Sequence, residues 1–278
     1  MKAHRSTLFL VLGLLLGWCG CSMVAPETAA LHRVHEAYRR EFSELRPQDP
    51  GAPAAPVSTN LAPPPPSFSA TFEAIREFRR RFGTDSTESA HLQVLEGMIY
   101  LQSERPGMAR ALQPAVREQL PRLHSASGKK TRDEMFAENY PHLVDGWGEI
   151  TRYVEARRRN AGAAISLDNL VRAADGIHHN LALIDPKDLP DAEADQGGLY
   201  LAATAATFYA WASHFYNDPR NADREEKRRE WLGRGRELVG RYLTEAEKLA
   251  IRSDPNAHYD AGRWRYVRWY QWLTDQLQ

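Results

Sequence analysis

The stretch from Leu199 to Tyr216 contains no Asp, Glu, Lys or Arg and is dense in Ala, Thr and aromatic residues. A helix that is apolar on every side has to be buried by the rest of its fold. The segment therefore reads as a central helix around which the other elements pack, its alanines letting neighbours approach closely. A membrane span is the rival reading, and Thr204, Thr207, Ser213 and His214 make it a poor one.

Most of the remaining chain repeats its apolar residues at helical spacing. Phe68, Phe72, Ile75, Phe78 and Phe82 form a stripe that stops at Gly83. Ser86 caps a helix carrying Leu92, Leu95, Met98 and Ile99. Thr131 to Glu134 form a capping box, followed by Phe136, Tyr140, Leu143, Trp147, Ile150 and Val154, with a kink expected at Pro141. Ser166 opens another helix with Leu170, Val171, Ala174, Ile177 and Leu181. No stretch alternates like a strand for long. The fold class expected is all-α, a helical bundle or repeat-like superhelix around a buried central helix.

Towards the amino terminus, Leu31, Val34, Tyr38, Phe42 and Leu45 predict an amphipathic helix over roughly 28–46. The tract 47–66 is rich in Pro and Ala and ends in Pro63-Pro64-Pro65-Pro66. It reads either as an extended polyproline spacer, reaching on the order of 60 Å at about 3.1 Å per residue, or as a segment wrapped on the domain surface. The expected plan is a leader over 1–20, an anchor with its helix over 21–46, a linker over 47–66 and an all-α domain over 67–278.

The leader rests on Lys2, His4 and Arg5, followed by an apolar run from Leu8 to Leu16 and then Gly17-Trp18-Cys19-Gly20-Cys21-Ser22. The run is too short to span a bilayer stably, and the layout is that of a secretory signal. Its ending resembles the lipobox of bacterial lipoproteins. That resemblance implies diacylglyceryl transfer to a cysteine and cleavage before it. Cys21, which follows small Gly20, fits better than Cys19, which follows Trp18; Trp18 itself departs from the Leu or Val usual there. Ser22 after the cysteine implies the outer membrane, facing the periplasm. Two or three acyl chains suffice for stable anchoring.

Gly97, Tyr100, Ala109 and Pro121 fall at the relative spacing of the Gly, Tyr, Ala and terminal Pro of a tetratricopeptide unit, and the segment 90–121 resembles a degenerate one. Gln93, Glu96 and Gln113 depart from that pattern. At the carboxy terminus, Tyr266, Trp269, Tyr270, Leu273 and Leu277 share one helical face and predict a core-docking helix. Trp264 and Trp272 fall outside that face, against the Pro-rich tract, a partner or a lipid interface.

Basic and acidic residues balance at 36 each, so no phosphate-neutralising surplus points to nucleic acid. The runs Arg79–Arg81 and Arg157–Arg159 read as solvated helix faces. The chain contains no GxSxG, phosphate loop, HExxH or CxxC, and neither catalysis nor a cofactor is expected. Glu88/His91 and Asp175/His178 have Glu-x-x-His-type spacing, and His32 and His35 share a face, but each lacks the further ligands a metal site needs. His178 projects with Val171, Ala174 and Leu181: either a core histidine or a polar handle in an apolar pocket.

Two functions from different classes follow. The first is a lipid-anchored periplasmic binding protein holding a lipid or other hydrophobic molecule within an envelope transport system. Its cavity would be lined by Tyr140, Trp147, His178, Thr204, Thr207, Phe208 and Trp211. The second is a helical-repeat scaffold binding an envelope transporter or assembly protein.

Overall fold

The computed structural model describes residues 25–43, 67–159, 162, 164–216, 223–253 and 261–278. The leader, Cys21, the Pro-rich tract and the side chain of Trp264 lie outside the described residues. Among those described, every regular element is helical: α1 Pro26–Ser43, α2 Ser69–Phe82, α3 Thr87–Gln102, α4 Pro106–Leu123, α5 Arg132–Arg158, α6 Leu167–Ala182, α7 Ala192–Phe215, α8 Arg224–Arg241, α9 Glu245–Ser253 and α10 Ala261–Asp275, with a 3-10 turn at Pro186–Asp188.

The expected caps are in place. Ser86, Thr131 and Ser166 accept hydrogen bonds from the backbone N–H of Ser89, Glu134 and Asn169 at 3.2–3.3 Å, each satisfying an orphan donor of a first turn. The capping box is only half made, because the Glu134 carboxylate turns instead to His124 and Lys130, at 2.7 and 2.8 Å. Gly83 ends α2 with φ 81°, a left-handed backbone that a side chain would strain. Pro141 lies inside α5, which runs on through it to Arg158.

From α3 to α8 each helix packs on the next, as short connections between antiparallel neighbours require. In addition α3 packs on α5, α5 on α7, and both α7 and α8 on α10. α3, α5, α7 and α10 thus form one layer, with α4, α6 and α8 filling a second, in the manner of stacked helical hairpins. The segment 90–121 is itself such a hairpin, made of α3 and α4. Its Gly97 leaves room for the Tyr140 ring, since a β-carbon there would lie 2.6 Å from Tyr140 Cε2.

α7 is the expected central helix, walled by α5, α6, α8 and α10. From Gly197 to Ser213 only Tyr200 and Thr207 escape full burial. Its small residues set the approach: a β-carbon on Gly235 of α8 would lie 3.1 Å from Ala206 Cα, and Gly198 receives the Tyr242 ring. The carboxy-terminal helix also docks as expected. Tyr266, Trp269 and Leu273 are buried, and the Trp269 indole donates to the Ala203 carbonyl at 3.3 Å. Trp272, expected to face away, stacks on Trp269 at 4.9 Å between centroids.

The amphipathic helix at the amino terminus is not a separate body. Ala30 and Val34 of α1 are buried in a second core with Phe68, Ile75, Phe78, Leu92 and Ile99. Glu41 near the end of α1 caps α2, accepting from the N–H of Ala70 and Thr71 and from the Thr71 hydroxyl at 2.9, 3.0 and 2.6 Å. Glu41 and Ala70, described residues on either side of the Pro-rich tract, are therefore held together, and α1 is part of the domain rather than held away from it.

Candidate functional site

The structure does not bring the seven expected lining residues to one cavity: Tyr140 faces α3 and α4, Thr204, Phe208 and Trp211 are buried along α7, and Trp147, His178 and Thr207 are half-buried. Tyr140 is fully buried and its hydroxyl donates to the Ala109 carbonyl at 2.9 Å. Phe208, also fully buried, fills the notch at Gly146 and meets Trp147 edge to face, with centroids 5.5 Å apart. Thr204 and Thr207 turn their hydroxyls back onto their own helix, to the carbonyls of Tyr200 and Ala203 at 2.9 and 2.8 Å. Each hydroxyl proton is thus spent within α7, as a threonine in a helix readily arranges.

His178 is half-buried on α6, its ring edge-on to Tyr209 with centroids 6.4 Å apart. Burial holds its pKa below the ordinary histidine value, against the opposing pull of Glu237. The Tyr209 hydroxyl donates to Asp175 at 2.5 Å, and Arg234 of α8 reaches the same carboxylate at 2.9 Å. Asp175 is thus engaged in an ion pair rather than offered to a metal with His178. The other spacing pair is likewise diverted, with His91 bonded to Asp133 at 2.6 Å. His32 pairs with Glu36 at 3.5 Å, while His35 is half-buried. Burial lowers the His35 pKa, as does nearby Arg132. Among the described residues no three His, Cys, Asp or Glu side chains converge to hold a metal ion.

A polar surface depression of about 240 Å³ lies between α3 and α4, with Ser89, Gln93, Glu118 and Arg122 on its wall. None of the seven residues borders it. Enlarging small residues of α7 tests the packing directly. Ala205→Leu and Ala206→Leu, both fully buried, are expected to cost about 1–3 kcal/mol each by overpacking. Thr207→Leu, half-buried, is expected to stay within about 0.5 kcal/mol of the parent. Urea unfolding of the three variants checks this, and an Ala206→Leu protein as stable as the parent would reveal free space beside α7.

Two features not singled out from the sequence stand at opposite ends of the hairpin stack. At the carboxyl ends of α5 and α7, the half-buried rings of Tyr153 and Phe215 lie 4.9 Å apart, edge to face, and Trp211 joins both at 6.0 and 5.7 Å. Exposed His214 meets Phe215 at 5.1 Å. Trp211, among the expected lining residues, is itself buried and backs this edge from the core. Tyr153 sits one position before the stripe residue Val154, so helical periodicity alone passes over it.

At the amino-terminal ends of α3, α5 and α7, charged side chains link one hairpin to the next. His91 and Arg132 both bond buried Asp133, Arg132 also pairs with Glu193, and Arg263 joins Asp195 to Glu247. Burial by itself would raise the Asp133 pKa, but the bond from His91 and the charge of Arg132 hold it below the usual carboxylate range. This edge fastens the stack. No protein-family model, curated protein or solved structure matches the chain.

Proposed function

We propose that the protein is a lipid-anchored helical scaffold of the bacterial envelope, attached through Cys21 to the periplasmic face of the outer membrane. It binds a protein partner at the aromatic end of α5 and α7. The anchor rests on the lipobox-like ending at Cys21; among the described residues no helix is long and apolar enough to cross a membrane. The observation that carries the scaffold reading is a contrast. Tyr140, Phe208 and Trp211, expected to wall a cavity, are buried, whereas Tyr153 and Phe215 are half-buried and His214 is exposed at the edge. Tyr and Trp clusters of this kind are the usual anchors of protein interfaces.

A photo-crosslinking residue placed at Tyr153 or Phe215 in cells tests the reading. The expected result is one discrete envelope protein captured from either position and none from exposed Met108 on α4. Equal capture from all three positions would remove the proposed surface. Stoichiometric lipid extracted from the purified protein, with no captured partner, would replace the scaffold by the hydrophobic-ligand carrier. Cys21→Ala should abolish incorporation of labelled palmitate, and incorporation that persists would overturn the anchor.

A further inference from the structure

We infer that the outward face of the α1–α2 hairpin is the membrane-facing side of the molecule, seated on anionic phospholipid headgroups. The inference deepens the lipid-anchored reading and rests on it for the tether. From Cys21 to Pro26 the chain has five peptide links, which span at most about 18 Å. Because Glu41 fastens α1 to the start of α2, the Pro-rich tract adds nothing to that distance. An acylated Cys21 thus holds the start of α1 within one tether length of the bilayer.

The chemistry of the hairpin's outer face suits that position. Arg33, Arg39, Arg40, Arg76, Arg80 and Arg81 are exposed, against the exposed acids Glu36, Glu73 and Glu77. Glu77 is shared by Arg80 and Arg81 at 3.8 and 3.7 Å, so one carboxylate serves two guanidinium groups. Arg79 points the other way, to Glu96 and Gln93 of α3. A chain whose formal net charge is zero thus carries a local excess of arginine beside its anchor point. Basic residues close to an anionic surface add attraction that acyl chains alone lack. The attraction is screened within a Debye length, about 10 Å at 0.1 M salt.

The test separates the face from the anchor. The mature chain carrying Cys21→Ser, which cannot be acylated, is floated with vesicles of 30 mol% phosphatidylglycerol in phosphatidylcholine, and with pure phosphatidylcholine vesicles. The expected result is association with the anionic vesicles at low salt, at least tenfold weaker on the neutral ones, and lost at 0.5 M NaCl. Arg33→Glu/Arg76→Glu/Arg80→Glu, all at exposed positions and with an unchanged thermal unfolding profile, should lose that association. Absence of binding, equal binding to both vesicles, or a triple variant that binds like its parent would overturn the inference. Because the vesicle assay uses unacylated protein, its failure leaves palmitate labelling at Cys21 untouched, and a failure of labelling is seen separately.

Discussion

Replacing Gly146 by alanine will lower the free energy of unfolding by about 2 kcal/mol or more, within the range typical of overpacked cores. Two effects oppose each other at this position. Alanine is the better helix former, by up to about 1 kcal/mol in a helix interior. The added β-carbon, however, would stand 2.2 Å from Cε2 of Phe208, far inside contact distance. A ring at the end of a free side chain could swing away, but Phe208 is fully buried and backed by Trp147. Relief therefore requires α5 and α7 to separate. Gly148, two residues on in the same helix, supplies the control: a β-carbon there meets nothing closer than Arg110 Nη2 at 3.7 Å. Gly148→Ala should gain up to about 1 kcal/mol from helix propensity alone. Denaturant unfolding of the pair decides the matter, and a Gly146→Ala protein that gained stability would show that the α5–α7 seam is looser than described.

Removal of Asp133 is the second large effect. Its carboxylate takes hydrogen bonds from His91 at 2.6 Å and Arg132 at 2.8 Å. Asp133→Ala leaves both without their shared acceptor. Breaking a buried charge pair costs about 3–5 kcal/mol. Here the Arg132 and His91 side chains remain 30% and 32% exposed, so water recovers part of the loss and about 2–3 kcal/mol is expected. The effect carries a pH signature. With the folded-state pKa of Asp133 held below its unfolded value of about 3.9, the unfolded chain binds the proton first as pH falls. The stabilisation is complete above the unfolded value and is lost as pH drops through the folded one. The difference in urea midpoint between parent and Asp133→Ala should hold steady from pH 7 to about 4 and narrow below that. A difference that vanished already at pH 6 would assign the stabilisation to another group.

The helices other than α8 and α9, the caps at Ser86, Thr131 and Ser166 and the burial of α7 were legible in the sequence, because each is written in residues a few positions apart. A serine or threonine caps the N–H three positions ahead. The absence of charge over Leu199–Tyr216 demands burial whatever the neighbours are. Periodicity also placed Tyr266, Trp269 and Leu273 correctly, since a helix presents one face to whatever core exists. The fate of a polar group is a different matter. Thr204 and Thr207 were expected to line a cavity, yet a threonine hydroxyl can bond to the carbonyl one turn back or to a ligand, and the residue type does not distinguish the two. His91 and Asp133 are 42 positions apart, and Glu41 caps a helix that begins beyond the Pro-rich tract. Nothing local couples such pairs.

What the sequence by itself determined is the helical class and the buried helix. Each is written in the order and spacing of neighbouring residues. Tertiary structure alone decided that the rings around α7 fill space instead of enclosing it, that α1 belongs to the body, and that the aromatic and charged ends lie apart. These depend on which side chain meets which across helices, where a missing β-carbon at Gly97, Gly146 or Gly198 determines whether a gap is left open or filled by the ring of Tyr140, Phe208 or Tyr242.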